Sequence, residues 1–282
     1  MWWSGQVVTK LIRRALAEDV GMGDVTTAAA LRGDERGVAR VTAKEELVVA
    51  GIEVFGEVFR TQDPGLAFST HRSDGERVEK GDLLAEIKGS LASILTAERV
   101  ALNLLQRMCG IATLTRRFAD AAAGTHARIV DTRKTAPGLR LLDKYAVRAG
   151  GGRNHRFALY DGVLIKDNHI VAAGGVAEAV GRVRTRIPHT LKVEVEVKNL
   201  AELEEALAAG ADSILLDNMT LPEMAAAVKR VEGRIPLEAS GNMTLERVPG
   251  VAATGVDLIS VGALTHSAAA ADISLNVVQV ET

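Results

Sequence analysis

The sequence predicts an α/β protein: an α+β amino-terminal domain followed by an incomplete, six- or seven-stranded parallel βα barrel. Three observations carry this. Strand-like and helix-like segments are mixed without strict alternation before Ser93. From Ile129 onward, short apolar runs recur about every 20–30 residues with helical stretches between them, the rhythm of repeated βα units. Each of those runs ends in polar or small residues, as expected where strand ends converge on one face of a barrel.

In chain order, Val7, Val8, Leu11, Ile12, Ala15 and Leu16 fall at helical spacing, in a pattern that stops near Gly21-Met-Gly23. Strand-like runs follow at Gly37-Val-Ala-Arg-Val-Thr42, Glu46-Leu-Val-Val-Ala50, Leu66-Ala-Phe-Ser-Thr70 and Asp82-Leu-Leu-Ala-Glu-Ile87, and an amphipathic helical pattern starts at Ile52. A long helix is expected over Ser93–Ala123, with Gly110 marking a close approach or a kink. Six apolar runs then begin at Ile129, Gly162, Lys192, Ser213, Ile235 and Asp257. Their polar ends are Arg133-Lys134, Lys166-Asp167-Asn168, Glu196-Val-Lys198, Asp217-Asn218, Ser240-Gly241-Asn242 and Gly262-Ala263. Roughly 150 residues remain for this region, against around 250 for eight full units, so the barrel is expected to be incomplete. The division expected is 1–108, 109–267 and a tail at 268–282.

Composition narrows the function. Hydrophobic residues make up 47% of the 282, enough for a substantial core, and aromatics only 3%. No apolar run approaches the ~18 residues of a membrane span. Met1-Trp-Trp-Ser-Gly5 has no basic stretch leading into an apolar one, so a cytoplasmic location is expected. No basic stripe interleaved with aromatics suggests nucleic acid. The single cysteine, Cys109, excludes an internal disulfide and reads as a packed residue. Residues 129–169 hold eight Lys and Arg against four Asp and Glu, in a chain of net charge −2. Local positive charge in an acidic protein points to a small anionic ligand.

The candidate basic set is Arg99, Arg133, Lys134, His155, Arg156 and Lys166. Guanidinium forks grip carboxylates or phosphates with two bonds, and lysine acts as a point charge. Glu194 and Glu196 share one face of a strand. Glu196 and Asp217, at successive strand ends, suit ribose hydroxyls or Mg²⁺, or a salt-bridge network with Arg133 or Lys166. Ser240-Gly241-Asn242 and Gly262-Ala263 offer backbone N–H groups to a phosphate, with helix starts expected close by.

The order and spacing of Asp19-Val-Gly-Met-Gly-Asp24-Val-Thr-Thr27, Glu98-Arg99-Val-Ala-Leu-Asn103, Asp131-Thr-Arg-Lys-Thr135, Gly151-Gly-Arg-Asn-His-Arg156, Lys166-Asp-Asn-His169, Glu194-Val-Glu-Val197, Leu216-Asp-Asn-Met219 and Ser260-Val-Gly-Ala-Leu-Thr-His266 resemble the quinolinate phosphoribosyltransferases, the carboxylating nicotinate-nucleotide pyrophosphorylases. The resemblance implies transfer of phosphoribose from phosphoribosyl pyrophosphate to quinolinate with loss of CO₂, dependent on Mg²⁺, in NAD synthesis. It also implies homodimers with shared active sites, open to further assembly, and a tail that returns to the first domain. By resemblance, Arg133, His155, Arg156 and Lys166 surround quinolinate, and Arg99 arrives from the neighbouring subunit. Lys134 faces the pyrophosphate, Glu196 and Asp217 hold ribose and help place the metal, and Ser240 to Asn242 with Gly262-Ala263 cradle the 5′-phosphate. Asn242 departs from the second glycine that many relatives carry there, although asparagine tolerates left-handed backbone angles. Two alternatives are a related pyrophosphorylase-like protein linked to molybdate transport and a non-catalytic barrel acting as a ligand sensor.

Overall fold

The computed structural model describes residues 5–281; the Met1–Ser4 stretch read above for a leader pattern and Thr282 lie outside them. The chain divides into two compact units. Unit 1 takes the residues up to Leu114, Pro137–Gly151 and the tail from Ala268; unit 2 takes Thr115–Ala136 and Gly152–Ser267. The segment 137–151 thus departs from the sequence-based division, which left it in the barrel.

Unit 1 holds α1 (Gly5–Val20), α2 (Val25–Ala30), β1 (Arg36–Ala43), β2 (Leu47–Val48), α3 (Ile52–Gln62), β3 (Ala67–Thr70), β4 (Arg77–Val78) and β5 (Leu83–Ser90). It also holds α4 (Leu91–Ala121) through Leu114. Alternation along β1, buried at Ala39, Val41 and Ala43, sets one face against the core. Neither α2 nor the two-residue β4 was expected. Asp24 caps α2 by accepting from Thr27 N at 3.0 Å, and the helix is only six residues long, below what periodicity can detect. Gly110 is a close approach rather than a kink: a Cβ there would overlap the Ala269 carbonyl oxygen. Cys109 is buried beside Ala50, and burial pushes its thiol up to about 12, so it is inert packing.

Unit 2 holds β6 (Arg128–Val130), β7 (Val163–Ile165), α6 (Asp167–Ala173), α7 (Val176–Arg184), β8 (Val193–Val197), α8 (Leu200–Ala208), β9 (Ser213–Asp217), α9 (Leu221–Val231), β10 (Leu237–Ser240), α10 (Val248–Ala253), β11 (Leu258–Ser260) and α11 (Ala263–His266). The intervening α5 (Arg140–Ala149) lies in unit 1. So does the final strand, β12 (Ile273–Glu281), which pairs antiparallel with β1 in a four-stranded sheet ordered β12-β1-β5-β3.

The six strands of unit 2 form one parallel sheet ordered β6-β11-β10-β9-β8-β7. The strands of lowest number sit at its two edges, so the barrel stays open between β6 and β7. Arg153 partly fills the gap: its N–H donates to Ile129 O at 2.8 Å and its carbonyl accepts from Asp131 N at 3.1 Å. Because side chains alternate along a strand, Leu164 and Lys166, Glu194 and Glu196, Leu215 and Asp217, Glu238 and Ser240 fall on the interior face in pairs. β8 is buried at all five positions, yet two of them are glutamates. An interior strand with two acids needs polar partners, and the site supplies them.

Candidate active site

A cavity of about 670 Å³ opens at the carboxy-terminal ends of these strands. Its wall contains Arg133, Lys134, His155, Arg156, Lys166, Glu196, Asp217, Ser240, Gly241, Asn242, Gly262 and Ala263, residues from seven separate segments. Of the residues singled out in the sequence, Arg99 is not there: it is exposed on α4 in unit 1. The local charge excess over 129–169 is likewise not all at the cavity, since Arg140, Lys144 and Arg148 lie on α5 in unit 1.

Asp131, fully buried just past β6, organises the basic wall. Its carboxylate accepts from Asn154 Nδ2 at 2.6 Å and from His155 N at 2.8 Å, which pins the segment that presents His155 and Arg156. Arg156 donates to Gly162 O at 2.9 Å. Burial, and then the neighbouring Arg133 guanidinium, lower its pKa from the ordinary value. Two guanidiniums held close enough to repel are relieved by a ligand carrying more than one negative charge.

His155 has a different part. The Arg156 N–H donates to its Nδ1 at 2.8 Å, so the ring proton lies on Nε2, which donates to Glu194 at 2.9 Å. The ring therefore enters the wall as a neutral imidazole rather than as a cation. Glu194 also accepts from Ser213 Oγ at 3.2 Å. Beside this pair, Glu238 is 1% exposed, and neither of its oxygens finds a hydrogen bond among the described residues; His155 Nε2 passes one at 3.5 Å. Burial, and next the Glu194 charge, push Glu238 up to about 7. By atom type and spacing this triad could hold a cation, but His155 Nε2 already spends its proton on Glu194.

Above this layer Lys166 Nζ donates to Glu196, the salt bridge weighed in the sequence. Asp217 is half-buried and accepts from Asn218 Nδ2 at 3.0 Å. Opposite, Gly262 makes room: a Cβ there would sit 3.1 Å from both the Lys134 stem and His266 Nε2. Lys134 is exposed, with its carbonyl held by Thr265 Oγ1 at 2.8 Å. The loop after β10 differs from expectation. No helix starts there; α10 begins only at Val248, and Gly241 and Asn242 take φ of 92° and 48° instead. Gly262 does cap a helix, the four-residue α11.

Sequence reasoning missed Glu238 and Arg247, and it gave no role to Asn218 and His266, which it met only as a strand end and as the close of a motif. Glu238 carried a signal, an acid inside an apolar run at the same parity as Ser240. Arg247, which donates to Gly241 O and Met219 O at 2.8 Å each, carried none.

Comparison with known proteins agrees with this geometry. Two family profiles match, quinolinate phosphoribosyl transferase N-terminal domain over residues 24–109 and C-terminal domain over residues 111–276. The chain belongs to the quinolinate phosphoribosyl transferase family. A probable nicotinate-nucleotide pyrophosphorylase [carboxylating] of Bacillus subtilis is 45% identical over 95% of this chain and 92% of its own length. A chloroplastic nicotinate-nucleotide pyrophosphorylase [carboxylating] of Arabidopsis thaliana is 47% identical over 95% of this chain and 82% of its own. Among solved structures, NadC from Streptococcus pyogenes superposes with a TM-score of 0.96 at 41% identity, covering 100% of both chains. Like other members of this family, the chain combines an α+β unit with an open parallel barrel. No helix among the described residues is long and apolar enough to cross a membrane.

Proposed function

We propose that this member of the family joins quinolinate to the ribosyl carbon of phosphoribosyl pyrophosphate, releasing pyrophosphate and CO₂ and giving nicotinate mononucleotide for NAD synthesis in the cytoplasm. One observation supports this above the others: Arg133, Arg156, Lys134 and Lys166 line a single cavity together with Glu196 and Asp217. A cavity lined by crowded guanidiniums and by carboxylates suits a dicarboxylate beside a sugar that turns cationic as it reacts.

The guanidiniums of Arg133 and Arg156 bind the two quinolinate carboxylates and aim the ring nitrogen at the anomeric carbon. His155 flanks the ring as a neutral wall residue, and Lys166, released from Glu196, meets a carboxylate. The turn at Ser240-Gly241-Asn242 and the backbone at Gly262-Ala263 take the 5′-phosphate through N–H groups. As pyrophosphate leaves, positive charge grows on the anomeric carbon, and the Glu196 and Asp217 carboxylates stabilise it while Lys134 stabilises the departing oxygens. The ring nitrogen bonds to that carbon and becomes a pyridinium. The bond from ring C2 to its carboxylate then breaks, CO₂ departs, the electron pair stays on C2 as an ylide stabilised by the adjacent cationic nitrogen, and a proton from water completes the product. Holding two reactants in line can save up to roughly 7–11 kcal/mol of such a barrier.

Glu196 and Asp217 offer only carboxylate oxygens, hard donors that fit Mg²⁺. These two residues would hold the ion, which supplies neutralisation of the pyrophosphate charge. Arg99, exposed on α4, would enter the site of a second copy, making a homodimer with shared active sites.

The test is CO₂ release from quinolinate with phosphoribosyl pyrophosphate, using nicotinate as the control substrate. Turnover is expected with quinolinate alone, abolished by EDTA and restored by Mg²⁺; turnover of nicotinate, or indifference to EDTA, rejects the scheme. Mixing Arg99→Ala chains with Lys134→Ala chains is expected to restore activity to one site per heterodimer, and absence of rescue rejects sharing.

A further inference from the structure

Two turns at the cavity are held to each other by side chains to which the reaction scheme gives no part. After β9, Asn218 has φ of 55°; after β10, Gly241 and Asn242 have φ of 92° and 48°. Asparagine reaches left-handed angles more readily than other residues with a Cβ, and side-chain bonds hold both turns in them. Here the bonds form a chain. Asn242 Nδ2 donates to Asn218 Oδ1 at 3.1 Å, and Asn218 Nδ2 donates to Asp217 Oδ2 at 3.0 Å. The order is directional: a carboxylate only accepts, so the Asn218 amide must turn its NH₂ to Asp217 and its oxygen to Asn242. The backbone repeats the link, with Asn218 N donating to Ser240 O at 3.0 Å. Gly241 is needed for the fit, since a Cβ would collide with the Asn218 amide oxygen. Arg247 clamps both turns, with Nη1 on Gly241 O and Nη2 on Met219 O at 2.8 Å each. With those carbonyls held by a guanidinium, the turn keeps its carbonyl dipoles engaged away from an incoming anion.

We propose that Asn218 and Arg247 are positioning residues that tie the turn after β10 to the Asp217 carboxylate, so that seating the donor's phosphate also fixes the acid beside the anomeric carbon. This rests on the reading of the cavity as a phosphoribosyl site. In that arrangement phosphate recognition and charge stabilisation are one event, and Asn242 transmits between them.

The experiment is a double-mutant cycle on the full chain with Asn218→Gly and Asn242→Gly. Glycine accepts φ near 50°, so each change removes an amide and keeps the turn. Each single variant is expected to lower kcat/KM for phosphoribosyl pyrophosphate about tenfold, the scale of one lost bond linked to a charged group, with KM for quinolinate within about twofold. The double variant is expected to be no worse than either single one. Additive losses, or equal changes in both KM values, overturn the coupling. Arg247→Met is expected to show the same one-sided loss and Arg247→Lys to recover part of it. If Arg247→Met fails to fold, the asparagine cycle decides alone. A wild-type chain that turns over no quinolinate overturns the functional reading and this proposal with it, whereas normal wild-type turnover with an additive cycle overturns only the proposal.

Discussion

In unit 1 the Arg107 guanidinium meets Asp143 through two hydrogen bonds of 2.8 Å, and the carboxylate is wholly buried. In unit 2 Lys166 meets Glu196 with 46% of the lysine side chain still exposed. The first pair is closed. Its planar fork satisfies both carboxylate oxygens, and removing Arg107 takes that fork from a wholly buried acid. The second is half open, so an anion entering the cavity can take the lysine while the glutamate turns to a new partner. The difference separates charge that holds the fold from charge kept ready for a ligand. It gives the largest expected effect. Arg107→Met should cost about 3–5 kcal/mol in urea unfolding, because Asp143 keeps its burial and loses its fork. A cost below about 1 kcal/mol would mean the pair is no more committed to the fold than an exposed one.

The opposite pattern is expected at Arg133. Arg133→Ala should raise KM for quinolinate about 100-fold, the scale of a lost bidentate bond to a carboxylate, while the melting temperature and KM for the sugar donor stay near wild type. Relief of the repulsion on Arg156 should offset part of any packing loss. Equal rises in both KM values would break the comparison, because Arg133 would then be supporting the barrel mouth rather than one ligand.

How far these roles could be read from sequence follows the same division. The open cavity was legible because each apolar run ended in a polar residue at interior parity: Lys166, Glu196, Asp217 and Ser240 are consecutive instances of one rule. Glu238 obeyed it too, but a glutamate within an apolar strand reads as a surface position until the strand is known to be buried on both faces. The closed pair was not legible. Arg107 and Asp143 are 36 residues apart, and nothing local marks them as partners. The same long range hid the return of 137–151 to unit 1 and the bond from Arg247 to Met219. Sequence periodicity reports faces; it does not report which distant side chain a face will meet. The tautomer of His155 lay out of reach for a related reason, since it is decided by the neighbouring Arg156 N–H and by Glu194 together.

Glu238 lies between the two patterns, and its titration sharpens the comparison with the smallest expected effect. It is as buried as Asp143 but has no fork to satisfy it. Its folded pKa, about 7, lies above the ordinary 4.5. Below 4.5 the acid is protonated in both states and costs the fold nothing electrostatically. Between 4.5 and 7 the unfolded chain releases the proton while the folded chain keeps it, so stability falls as pH rises, and the loss levels off above 7. The shift sets a ceiling of about 3 kcal/mol, and relaxation around the Glu194 charge brings the expected loss to about 2 kcal/mol. Glu238→Gln removes the ionisation. Relative to wild type, its stability in urea unfolding should therefore improve by about 2 kcal/mol between pH 5 and pH 8, with the rise centred between the two pKa values. A difference that does not change with pH would mean that the Glu238 carboxylate is as well satisfied as that of Asp143. The inner part of the cavity wall, around His155 and Glu238, would then be a closed network, and only the part around Lys166 and Glu196 would be open to a ligand.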